Sequence, residues 1–134
     1  MSAPVLHAGP VEKPDSGHPL VRAAIGGSFG SDEVMTVKSW ADNLHKLIAD
    51  SSGGAKDSVD VLIDISALET YSDPELILIL TNLMKNDNPF VHRTATWGGT
   101  PLHEMIERVI RGLTGRNNLK NFKTEKEARE WLGE

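Results

Sequence analysis

The sequence predicts a small α/β domain, a mainly parallel sheet of four or five strands with about four helices packed on it. Three observations predict it. Val59–Ile65 is β-branched and nearly continuous in its apolar centre, as a strand covered on both faces must be. The segments around it carry apolar residues at steps of three and four, which is the helical period. Strand-like and helix-like segments alternate along the chain with short connections, and that order implies right-handed crossovers between parallel strands.

The elements follow in order. Met1 to about Pro19 is expected to be a flexible tail, with residues 20–134 forming the single domain. Pro4, Pro10, Pro14, Gly9 and Gly17 break up regular structure there, although Val5-Leu6 or Val11 could add a short edge strand. Leu20–Ile25 reads as a strand, and Gly26-Gly27-Ser28-Phe29-Gly30 as the turn after it. Ser31 or Asp32 can cap the next helix. Val34, Val37, Ala41, Leu44 and Ile48 line one face of that helix, Trp40 and Leu47 widen the stripe, and Ser51-Ser52-Gly53-Gly54 stops it.

After the strand Val59–Ile65 comes a loop, Ser66–Asp73. Ser72 and Glu75 have capping-box spacing, and Pro74 suits a first turn, where its missing N–H would have no partner. The helix Glu75–Lys85 holds Leu76 through Leu80 without a polar residue, so most of its circumference must be buried or face a partner. Phe90–Trp97 is a third strand, with Phe90, His92, Thr94 and Thr96 expected on one face and Val91, Arg93, Ala95 and Trp97 on the other. Thr100-Pro101 opens a helix with the stripe Leu102, Ile106, Val109, Ile110 and Leu113, ended by Gly115. Leu119–Phe122 is a short last strand. Thr124 and Glu127 form a second capping box before a helix with Ala128, Trp131 and Leu132 inward.

Composition narrows the function classes. The chain has 134 residues, enough for one core and too few for two domains. A formal charge of −5 gives no global attraction to nucleic acid or to an anionic membrane. The absence of cysteine excludes thiolate nucleophiles, thiolate metal sites and disulfides, and fits a reducing, cytoplasmic setting. No run of 18 apolar residues exists, so no transmembrane segment is expected.

Catalytic and metal motifs find little support. The histidines are His7, His18, His45, His92 and His103, none with an i, i+4 partner, so no metal site is expected. Asp64 after an apolar strand would suit an aspartyl-phosphate site, but that needs Mg²⁺ and further carboxylates where the first strand ends Ile25-Gly26-Gly27. Gly26–Gly30 lacks the lysine and spacing of a phosphate-binding loop. Gly98-Gly99-Thr100 lies at the C-terminal end of a strand, where open α/β sheets bind ligands, with His92, Thr94, Thr96 and His103 expected nearby. Arg108, Arg111, Arg116 and Lys120 read as a solvated face, beside Glu104 and Glu107 at pairing distance. No cofactor is implied, and the chain is not expected to be an enzyme.

The run Asp64-Ile65-Ser66-Ala67-Leu68, a short loop, and an apolar helix from Leu76 resembles the STAS domain of the anti-sigma-factor antagonists, the SpoIIAA-like fold. The ending Leu119 to Leu132, a short strand meeting a closing helix, is similar too. The resemblance spans roughly Leu20 to Leu132, and is nearer the unphosphorylated SpoIIAA-like branch than the phosphorylated antagonists. Those antagonists carry a phosphoacceptor Ser at the start of the helix after this strand. Here Ser72-Asp73-Pro74-Glu75 stands there, and the phosphoacceptor positions fall on Asp73 and Pro74. Asp73 would place a fixed negative charge where the helix dipole stabilises it.

The resemblance and the residues together imply a non-catalytic regulatory module with a protein partner or a homodimer contact. The expected surface is Ser66, Ser72 and Asp73 in the loop and Glu75, Leu76, Ile79 and Leu83 on the helix, with Gly98, Gly99 and Thr100 beside them. The alternative is a carrier or sensor of a small apolar or lipid-like ligand beneath Glu75–Lys85 and Leu102–Leu113.

Overall fold

The computed structural model describes residues 5–13, 18–29, 31–56, 58–71, 74–98, 108, 111–112, 114–115 and 118–133. Its centre is the strand that dominates the sequence, β3 (Val59–Asp64). β3 lies between β2 (Leu20–Phe29) and β5 (Val91–Trp97), parallel to both, and β6 (Leu119–Phe122) adds in parallel beyond β5. Side chains of β3 alternate between two cores. Val59, Val61 and Ile63 meet α1 (Val34–Ser52) and α2 (Pro74–Asp87) on one face. Leu62 meets Ala95 and, from α3 (Glu125–Leu132), Ala128 and Leu132 on the other. The near-continuous apolar pattern is thus the consequence of cover on both faces.

The helix stripes fall where the periodicity puts them. Val37, Trp40, Ala41, Leu44 and Ile48 are buried in α1, which follows a 3-10 turn at Ser31–Glu33 and stops at Gly53, in the left-handed region at φ 61°. The N-cap position of α1 is held by Glu33 rather than by Ser31 or Asp32, and its side chain makes no capping bond. Thr124 caps α3 as expected, its Oγ1 accepting from the Glu127 backbone N–H at 3.2 Å. Of the helix expected from Pro101, residues 108, 111–112 and 114 are helical, and Gly115 at φ 70° donates its N–H to the Arg111 carbonyl. Its apolar stripe, Leu102 to Leu113, lies outside the described residues.

Four expectations need correction. First, residues 5–12 of the supposed tail form a strand, β1 (Val5–Glu12), antiparallel to β2. Leu6 and Val11 pack on the core, and the Trp40 indole N–H donates to the His7 carbonyl at 2.8 Å. Gly9 and Pro10 are absorbed by a register irregularity between Ala8 and Val11 rather than preventing the strand. Glu12 also joins a ring of charges with Arg22, Glu125 and Arg129, with contacts of 3.1 to 3.8 Å, which ties β1, β2 and α3 together.

Second, Gly26 and Gly27 are not in a turn. They continue β2 because another backbone lies against them. A Cβ on Gly26 would stand 2.9 Å from the Ala67 Cβ, and the Gly27 N–H donates to the Ala67 carbonyl at 2.9 Å. Third, the loop Ser66–Asp73 contains a strand, β4 (Leu68–Tyr71), which pairs in parallel with the end of β2. Its order Leu-Glu-Thr-Tyr has only one aliphatic residue and leaves no apolar run to read.

Fourth, β5 does not alternate simply. Val59 pairs with Val91 but Asp60 pairs with Arg93, so one residue is bulged out beside β3. Val91 consequently enters the α1–α2 core, while Ala95 and Trp97 pack on the α3 side. Arg93 also turns to that side, its guanidinium over the Trp131 ring and donating to the Trp131 carbonyl.

Candidate functional site

The C-terminal ends of the strands meet at residues 64–68. The Asp64 carboxylate accepts from the Ser66 N–H at 2.8 Å and from its hydroxyl at 2.6 Å. That Asx turn bends the chain out of β3. Ile65 donates to the Trp97 carbonyl and Gly98 to the Phe122 carbonyl. Gly98 sits at φ 83°, and a Cβ there would fall 2.6 Å from the Ser66 Cα. The segment is therefore gripped between two glycine sites, Gly26-Gly27 of β2 and Gly98 after β5.

Of the expected surface residues, the structure brings Ser66 and Gly98 into contact. Ser66 is exposed, and Glu75 is exposed in the first turn of α2. Leu83 belongs to the core and Ile79 packs against it; both also line a crevice described below. Leu76 contributes its backbone to α2, and its side chain is not described. Ser72, Asp73, Gly99 and Thr100 lie outside the described residues. Among the described side chains of α2, the exposed large apolar group is Leu78, at 57% exposure.

His92 is not near the Gly98 end. It is the second residue of β5, roughly 20 Å along the strand from Gly98 at about 3.3 Å per residue. Thr94 is buried, and Thr96 donates its hydroxyl to the Asn121 side chain at 2.7 Å. His103 lies outside the described residues.

At the opposite end of the sheet the structure shows two Asp–His pairs that sequence spacing missed. His92 Nδ1 lies 2.9 Å from the carboxylate of Asp60, which is 3% exposed. His18 stacks on His92 with ring centroids 4.3 Å apart and bonds the Ser58 carbonyl through Nδ1. His45 Nδ1 lies 2.5 Å from the carboxylate of Asp87, also 3% exposed. Each carboxylate only accepts, so Nδ1 supplies the proton of the contact, and in the neutral ring Nε2 is then the acceptor. The pairs join residues 32 and 42 apart, beyond any helical spacing rule. One available signal was Asp60 itself, a charge inside an otherwise apolar buried strand that needed a partner.

His45 borders a crevice of about 210 Å³ between α1 and α2. Lys38, Ala41, Asp42 and His45 line it from α1, at positions i, i+3, i+4 and i+7. Ile79, Asn82, Leu83 and Asn86 line it from α2 with the same spacing. Its floor is apolar and its rim polar. An enclosed cavity lined by Leu, Ile and Met, as a lipid carrier needs, would be different in kind. No group of three or more His, Cys, Asp or Glu placed to hold a metal occurs among the described residues.

This architecture places the chain in the class of SpoIIAA-like α/β folds. It is similar, at TM-score 0.66 and 17% identity, to the crystal structure of an uncharacterized protein of the DUF3478 family with a SpoIIAA-like fold from Shewanella loihica; the match covers 98% of this chain and 97% of that one. No protein-family model and no curated protein matches the sequence. No helix among the described residues is long and apolar enough to cross a membrane.

Proposed function

We propose that the chain is a non-catalytic, STAS-type regulatory module that binds a protein partner through α2 and the connection leading into it. Leu78 carries the reading. Its neighbours Ile79, Leu80, Leu83 and Met84 pack inward, while Leu78 holds a large apolar side chain in solvent. The fold neighbour supports the module class. The gripped turn at Ser66 adds a rigid rim, so a partner would meet a pre-organised surface rather than order one. With Asp73 and Pro74 at the phosphoacceptor positions, recognition does not wait on a kinase.

A photo-crosslinking residue at Leu78 tests this, with the exposed Lys126 on α3 as control position. In lysate of the source organism the Leu78 probe should give one discrete protein adduct, or a crosslinked homodimer, that the Lys126 probe does not. Identical adducts from both positions, or none from Leu78, would sink the proposal. Asp73→Ala should weaken recovery of that adduct; an unchanged yield removes Asp73 from the contact.

A further inference from the structure

The geometry points to a second site, on the α1 side of α2: the groove between α1 and α2 binds a small zwitterion, an ammonium and a carboxylate carried on a short apolar stem. At about 210 Å³ the groove is below the roughly 300–1,000 Å³ of drug-sized pockets, which selects a small metabolite. Its charges come as one of each sign. Lys38 supplies a cation and Asp42 an anion, both exposed and both lining the groove. They stand one helical turn apart, about 6 Å along the axis. Lysine preceding the acid by four residues is the weaker orientation for an internal pair, and among the described residues the two form no ion pair with each other.

His45 sets the polarity of the site. Its Nδ1–H is committed to the buried Asp87 carboxylate at 2.5 Å. In the neutral ring Nε2 is then an acceptor, on an imidazole whose orientation is fixed from behind. A ligand ammonium can donate to Asp42 and, with the ring neutral, to His45 as well. The ligand carboxylate then faces Lys38, and the amides of Asn82 and Asn86 can donate to it. Ala41, Ile79 and Leu83 offer the apolar floor for the stem. A simple anion would meet Asp42, and a simple cation would meet Lys38, so either alone satisfies half the groove.

Three probes of one skeleton separate these cases: L-leucine, its amide, which lacks the carboxylate charge, and 4-methylpentanoate, which lacks the ammonium. The readout is the His45 ring and Asn82 side-chain resonances of the full chain during NMR titration. L-leucine should shift both saturably with a Kd on the order of millimolar, and each analogue should bind about tenfold more weakly or less. Asp42→Asn and Lys38→Met are exposed-site variants that should leave the fold intact. The first should erase the preference for L-leucine over 4-methylpentanoate, the second that over leucinamide. Equal shifts by all three probes, shifts that bypass His45, or no saturation by L-leucine would overturn the inference. None of these outcomes depends on Leu78 or its partner.

Discussion

Single residues at two places hold structure that their neighbours depend on. Gly98 combines a left-handed backbone with contact against the Ser66 main chain, so Gly98→Ala meets both strain and a clash that no side-chain rotation relieves. The expected cost is about 2–3 kcal/mol, measured by urea unfolding. A loss under about 0.5 kcal/mol would mean that the turn can retreat. Asp60 is the other place. Removing its imidazole in His92→Leu leaves a buried carboxylate without that partner, at an expected cost of about 1–3 kcal/mol. Adding Asp60→Val removes the stranded charge, and the double variant should be more stable than His92→Leu alone. Equal stability of the two would show that water already serves Asp60.

Among the elements, β1 depends most on distant support. Its ion pairs with Arg129 and Arg22 are half-exposed, so Glu12→Gln should cost under about 1 kcal/mol, and less still in high salt. Its packing matters more. Removing residues 1–12 takes away Leu6, Val11 and the carbonyl that receives the Trp40 indole, and opens the edge of β2. Such a chain should melt well below the parent and form larger species in size-exclusion chromatography by edge pairing. A monomer of unchanged melting temperature would return β1 to the status of a tail.

Legibility in the sequence follows the same division. β3, α1 and α3 were readable because burial imposes a period on them, and the residues that stop or cap them act within four positions. β1 was legible only as the alternative of a short edge strand at Val5-Leu6 or Val11, because proline and glycine punctuation favoured a tail. β4 was not legible, with one buried aliphatic residue, Leu68. Gly26-Gly27 spell a turn locally, and only the approach of Ala67, about forty residues later, makes them strand. The candidate site divides likewise. Gly98 was named because it follows the C-terminal end of a strand, and Ser66 because it opens the loop after β3. The Asp–His pairs were missed because each is closed by tertiary packing.

At the scale of the molecule, the described residues form two cores. The α1–α2 side holds most of their buried side chains, while α3 packs Ala128 and Leu132 on the other face. The small residue is the tighter constraint. Ala128 is fully buried, and Ala128→Leu would lift α3 off the sheet, costing about 1–3 kcal/mol by overpacking. Leu132→Ala should cost about 2–4 kcal/mol and leave a cavity instead. Thermal unfolding of both variants ranks the two effects, and a neutral Ala128→Leu would show that α3 is loosely seated.

β2 is ten residues long because it serves two partners in succession, first β3 and then β4. It works as a ruler along which the chain is measured twice. Between the two readings lie only residues 65–67, pinned by glycine contacts on either side. A residue inserted or deleted there has nowhere to be absorbed, and β4 would slide one notch along β2, exchanging its inward and outward side chains. Length, rather than side-chain identity, is what this short connection must keep, and an insertion scan should find it the least tolerant bend in the molecule.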